Sequence, residues 1–92
     1  MIVSFHHKGL ERFFRTGSTA GIQPEQAARL RLIITVLNRA RSLSDVALPG
    51  LRLHALHGDR QGSHAVSVSA DWRIVFRLTQ GEVSNVDLTD YH

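Results

Sequence analysis

Six histidines, eleven lysines and arginines, and no cysteine define the chemistry open to this 92-residue chain. An imidazole takes up or gives a proton near neutrality, and a guanidinium holds phosphate oxygens with a planar, permanently charged fork. Thiol nucleophiles, disulfides and thiolate zinc sites are excluded. The chemistry-bearing residues gather in three places: Arg52, His54 and His57; Arg73 and Arg77; and the terminal Asp90-Tyr91-His92. A metal site is not expected. The spacing of His54 and His57 suits a helix but splits the pair across a strand, and the neighbours His6 and His7 diverge in the same way. No cofactor is expected, and His64 reads as a strand-edge residue without a role.

The charge is unevenly placed. Residues 1–77 hold all 11 bases and five acids, whereas residues 78–92 hold three acids and no base. A basic body favours a polyanionic partner: RNA, DNA or an acidic protein. With 42% hydrophobic and 21% charged residues the chain is expected to fold rather than stay disordered. Residues 1–92 are expected to form one domain with a thin core. Leu30 to Leu37, its longest apolar-leaning segment, is interrupted by Arg31 and too short to span a bilayer. The opening Met1–Phe5 runs straight into His6, His7 and Lys8 without a signal-peptide apolar region. A cytoplasmic protein with no membrane partner is expected.

The elements that must position these groups follow from periodicity. Met1–Phe5 reads as a short strand. Leu10, Phe13 and Phe14 share one helical face, closed by Thr16-Gly17. A second helix is predicted from Pro24, with Ala27, Leu30, Ile34 and Leu37 as its apolar stripe and Arg29, Arg31, Arg39 and Arg41 carrying charge. Pro49-Gly50 breaks the chain, and the period then becomes two. Leu51, Leu53 and Ala55 alternate with Arg52, His54 and Leu56. Gly58–Gly62 turns, Val66 and Val68 belong to the next strand, and Trp72, Ile74, Phe76 and Leu78 alternate with Arg73, Val75 and Arg77. Gln80-Gly81 leads into Val83–Tyr91. The predicted order is β-α-α-β-β-β-β, an α+β fold with a helical hairpin covering one face of an antiparallel sheet. Parity sends Arg52, His54, Arg73 and Arg77 to the uncovered face.

With those residues in place, the chain resembles the HigB toxins of the RelE/ParE superfamily along its whole length. The similarity is carried by Phe5-His6-His7-Lys8-Gly9-Leu10-Glu11-Arg12-Phe13-Phe14, by Leu48-Pro49-Gly50-Leu51-Arg52-Leu53-His54, by Val66-Ser67-Val68 with Trp72-Arg73-Ile74-Val75-Phe76, and most specifically by Val86-Asp87-Leu88-Thr89-Asp90-Tyr91-His92. The resemblance implies a RelE-like fold and a growth-inhibiting toxin that cleaves messenger RNA on the 70S ribosome without a metal. The products would be a 2′,3′-cyclic phosphate and a 5′-hydroxyl. It also implies a HigA-like helix-turn-helix antitoxin, with operator DNA bound only through the toxin–antitoxin complex.

The same resemblance assigns roles. His92 is an acid or base, Asp90 orients a histidine, and Tyr91 stacks on a base. Arg73 stabilises charge on the phosphorane, and His54 is a second acid or base. Strict alternation puts Tyr91 on the opposite face from Asp90 and His92. His57 departs from the family pattern, which carries lysine there: either it takes over as an acid or base, or phosphate binding is weaker and more pH-dependent, and an activity profile displaced toward lower pH is expected. Two other functions fit the same fold: ParE-like inhibition of DNA gyrase, which has no use for an acid/base set, and a non-catalytic relative that only binds an antitoxin.

Overall fold

A computed structural model describes residues 1–90, in which helices α1 (Lys8–Thr16) and α2 (Ala27–Arg39) pack on one face of a four-stranded sheet. In α1, Leu10 and Phe13 are buried and Phe14 packs against the core. His7 caps its start by accepting the Leu10 N–H at Nδ1, 2.9 Å away. Gly17, at φ 78°, ends the helix and donates its N–H to the Phe13 carbonyl. A left-handed residue at that position releases the chain while satisfying an end carbonyl.

The second helix begins later than its sequence suggests. Pro24–Gln26 form a 3-10 turn, and α2 proper starts at Ala27, whose N–H bonds back to the Pro24 carbonyl. Tighter bonds of this kind are common at helix starts. Leu30, Ile33, Ile34 and Leu37 are buried, which adds Ile33 to the expected stripe. Arg29 turns inward from α2. Its Nη2 donates to the carbonyls of Gly50 at 2.6 Å and Ser67 at 3.0 Å, tying the helix to the Pro49-Gly50 turn and the sheet.

The sheet runs β1 (His54–Ala55), β2 (His64–Ser67), β3 (Trp72–Thr79) and β4 (Glu82–Asp90) in that spatial order, each pair antiparallel. Gln80 and Gly81 join β3 to β4 with φ 53° and 80°, the two-residue turn whose twist matches the flanking strands. Val66, Ile74 and Leu88 align across the sheet and face the helices, with Phe76 wholly buried beside them. Burying one such large apolar side chain is worth about 1.5–3 kcal/mol.

Two expected strand segments are cut short. Alternation from Leu51 breaks at Arg52, which takes a left-handed backbone at φ 56°, so β1 is only two residues long. The opening run makes two isolated parallel bridges to β4, Ile2 with Val83 and Phe5 with Val86, rather than a strand. Between them Asn85 sits at φ 55° and gives its N–H to the Ser4 hydroxyl, a bulge that interrupts the ladder. No helix among the described residues is long and apolar enough to cross a membrane.

Candidate active site

The face of the sheet away from the helices carries two aligned rows. One is Ser67, Arg73 and Thr89; the next, two residues along each strand, is His54, Ala65, Val75 and Asp87. Directly paired residues share a face, so His54 and Arg73 lie on the same side, as parity predicts. They stand two strands apart, about 10 Å across the sheet. Between them run Ala65 and Ser67, and Arg52, Leu53, His54 and Ser67 line an open depression of about 540 Å³. Arg73 does not itself line this depression; it pairs with Ser67, which does.

His54 is exposed, and its ring is nevertheless held. Nδ1 lies 2.9 Å from the Arg52 carbonyl oxygen. A carbonyl only accepts, so Nδ1 carries the proton, and the lone pair of the neutral ring is on Nε2. The left-handed backbone of Arg52 is what turns that carbonyl out of strand geometry. Arg52 is thus a turn residue rather than the strand residue expected. Arg73, the second residue of β3, is half-buried with its Nε enclosed.

The remaining sequence-predicted residues divide. His57 is exposed and lies beyond β1, immediately before the 3-10 turn Gly58–Arg60, with no side-chain bond to that turn. Asp90 pairs with Trp72, so the register sets it on the helix side of the sheet, opposite the face of Arg73. Tyr91 and His92 lie outside the described residues. Arg77 stays on the open face, its guanidinium against Gly62: a Cβ there would fall 2.7 Å from Nη2.

One part of the open face went unread in the sequence. Asp59, Arg60, Arg77, Asn85 and Asp87 line a second basin farther along the strands. The clue was the spacing of Val83, Val86 and Leu88, three and then two, which marks the bulge that resets parity and turns Asp87 to the open side. No group of three or more His, Asp or Glu suited to a metal occurs among the described residues. A clear electrostatic perturbation lies elsewhere, at Asp45. Its carboxylate accepts the N–H groups of Arg41 at 2.9 Å and Ser42 at 3.2 Å, which holds its pKa below the usual carboxylate value.

A helical pair over one face of an antiparallel sheet is a fold this chain shares with solved toxin structures. YafQ of E. coli shares it. A YafQ mutant superposes with a TM-score of 0.65 at 16% identity, covering 98% of this chain and 91% of that one. YafQ in the E. coli DinJ–YafQ complex gives 0.63 at 15%, with the same coverage of 98% and 91%. Residues 3–92 match the HigB-like toxin family, described as the RelE-like toxin of the type II toxin-antitoxin system HigB. The endoribonuclease HigB of Proteus vulgaris is 34% identical over 92 residues, the full length of both chains. The chain belongs to the HigB-like toxin family.

Proposed function

We propose that this toxin is an endoribonuclease that cuts messenger RNA on the ribosome, with its own side chains supplying the acid, the base and the charge. Family membership and the endoribonuclease relative support the reaction class. The observation that carries the mechanism is the bond between His54 Nδ1 and the Arg52 carbonyl. It leaves Nε2 as the acceptor, the state a general base needs.

In this reading Nε2 of His54 takes the proton of a ribose 2′-hydroxyl. The 2′-oxygen attacks the adjacent phosphorus, and the bond from phosphorus to the 5′-oxygen breaks. His92 returns a proton to the departing oxygen. Arg73, on the same face, holds the extra negative charge of the phosphorane, which is strongest in the transition state. The products are a 2′,3′-cyclic phosphate and a 5′-hydroxyl. Tyr91 stacks on a neighbouring base, and His57 contacts phosphate.

The body is basic and the catalytic face is shallow, so the ribosome supplies what the chain lacks, docking it through phosphates and presenting a bent codon. A cytoplasmic site of action follows. The antitoxin that restrains the toxin carries a helix-turn-helix domain, so operator DNA is reached only through their complex. Occurrence of the fold in the DinJ–YafQ complex supports an antitoxin partner.

The test is a translating extract in which message 5′ ends are mapped and their chemistry read by selective ligation. Wild type should cut translated message and leave 5′-hydroxyl ends, with negligible cutting of free RNA. Arg73→Ala should slow cutting by about 10²–10³-fold. Intact message with growth arrest and DNA damage signalling would instead favour gyrase as the target.

A further inference from the structure

The second basin of the open face is a shallow depression of about 340 Å³. It begins in the row of His54, where Val75 and Asp87 stand, one row along the strands from Arg73. Val75 lies two residues along β3 from Arg73 and lines the basin with a small apolar contact, only 5% of it being exposed. At about 3.3 Å per residue, that is some 7 Å from the guanidinium-bearing position. A base flanking the bond that Arg73 serves is within reach.

The charges of the basin differ from those of the rest of the face. The exposed His6 also lines the basin, where Arg60 and Arg77 are balanced by Asp59 and Asp87. Among the described residues these four form no ion pair with one another. Arg77 and Asp87 are diagonal neighbours, since Asp87 pairs with Val75 and Arg77 lies two residues farther. Diagonal positions stand about 7–8 Å apart, which leaves the edge of a ring room between them. The Arg77 guanidinium is also seated. It packs against Gly62, where a positive φ of 94° and the lack of space for a Cβ both require glycine. Asp87 keeps one oxygen on the Leu88 N–H at 3.0 Å, which fixes its carboxylate.

Two carboxylates beside the opening disfavour a phosphate. What suits a neutral pairing of fixed donors and acceptors over an apolar surface is a nucleobase. Guanine offers N1–H and N2–H to one carboxylate, and O6 and N7 to one guanidinium, so both charged groups are used bidentately. Cytosine gives a carboxylate only its N4 amino group, adenine only N6, and uracil only N3–H. We infer that this basin is a guanine-binding subsite that reads a base beside the cleaved bond, with Asp87 and Arg77 as the residues that set the preference. The inference rests on the nuclease reading for its place in the reaction, and on the basin alone for its ligand.

Two measurements keep those apart. The first follows the Val75 methyl signals of the full chain while GMP, CMP, AMP or UMP is added at millimolar concentration. The phosphate is common to all four, so differences report the base. GMP should shift Val75 and bind roughly tenfold tighter than the others, the discrimination of one good bidentate pair. Asp87→Asn and, separately, Arg77→Gln should abolish the preference. Equal responses to the four nucleotides, an unmoved Val75, or a preference that survives both substitutions would overturn the inference. The second maps cuts in translated message. Guanine should be enriched at one fixed position beside the cut, and the enrichment should vanish in Asp87→Asn while cutting continues. Cuts indifferent to guanine overturn the subsite and leave the nuclease intact. Absence of any cutting sinks the nuclease, and the nucleotide titration still decides the ligand.

Discussion

The carbonyl oxygen of Arg52 lies 2.9 Å from Nδ1 of His54, and it points there because Arg52 adopts φ 56°. A non-glycine residue in the left-handed region costs about 1–2 kcal/mol, so the contact is held at the expense of stability. Arg52→Gly should preserve the backbone, whereas Arg52→Val should resist it. The valine variant is expected to be about 1–2 kcal/mol less stable than the glycine variant, as read by denaturant midpoints. It should also cut message more slowly. Equal stability and equal cutting would show that the left-handed turn does nothing for His54.

His57 replaces the lysine implied by the HigB resemblance, and it stands exposed just past β1. Lysine is charged throughout the neutral range, while a histidine ordinarily gains charge only on the acid side. His57→Lys should therefore cut message faster than wild type at about pH 7. Equal rates for the two proteins would remove position 57 from phosphate binding.

Arg29 joins α2 to the Gly50 and Ser67 carbonyls. Bonds from a charged donor are worth about 1.5–3 kcal/mol each in partly buried settings, and truncation strands both acceptors. Arg29→Ala is expected to lose about 2–4 kcal/mol in chemical denaturation. A loss below half a kilocalorie would mean that water replaces the guanidinium without cost.

Asp45 closes a capping box with Ser42. Because its folded pKa is depressed below the ordinary 3.8, the stability it adds is present above that value and is lost as pH falls below it. Asp45→Asn should melt earlier than wild type at neutral pH, and the gap should close as the pH drops under about 3.8. A gap that persists in acid would assign the effect to shape rather than charge.

Much of this molecule was decided locally. Leu10, Phe13 and Phe14 make a helical face whatever surrounds them, Gly17 ends that helix, and Trp72 to Leu78 alternate as a half-buried strand must. Parity within β3 was enough to place Arg73 and Arg77 on the open face. The terminal Asp90-Tyr91-His92 carried the family resemblance, although only Asp90 of the three falls among the described residues.

What no local rule supplied came from contacts between distant segments. Asn85 leaves β geometry where its N–H meets the Ser4 hydroxyl, and Arg52 leaves it where its carbonyl meets the His54 ring. Those two departures shorten β1 and reset the parity of β4, which turns Asp87 to the open face. Register is set by pairing across strands, and a single inserted residue reverses every side chain after it. Periodicity therefore determined the elements of this toxin and their apolar faces, whereas the company each reactive group keeps was settled only when the strands met.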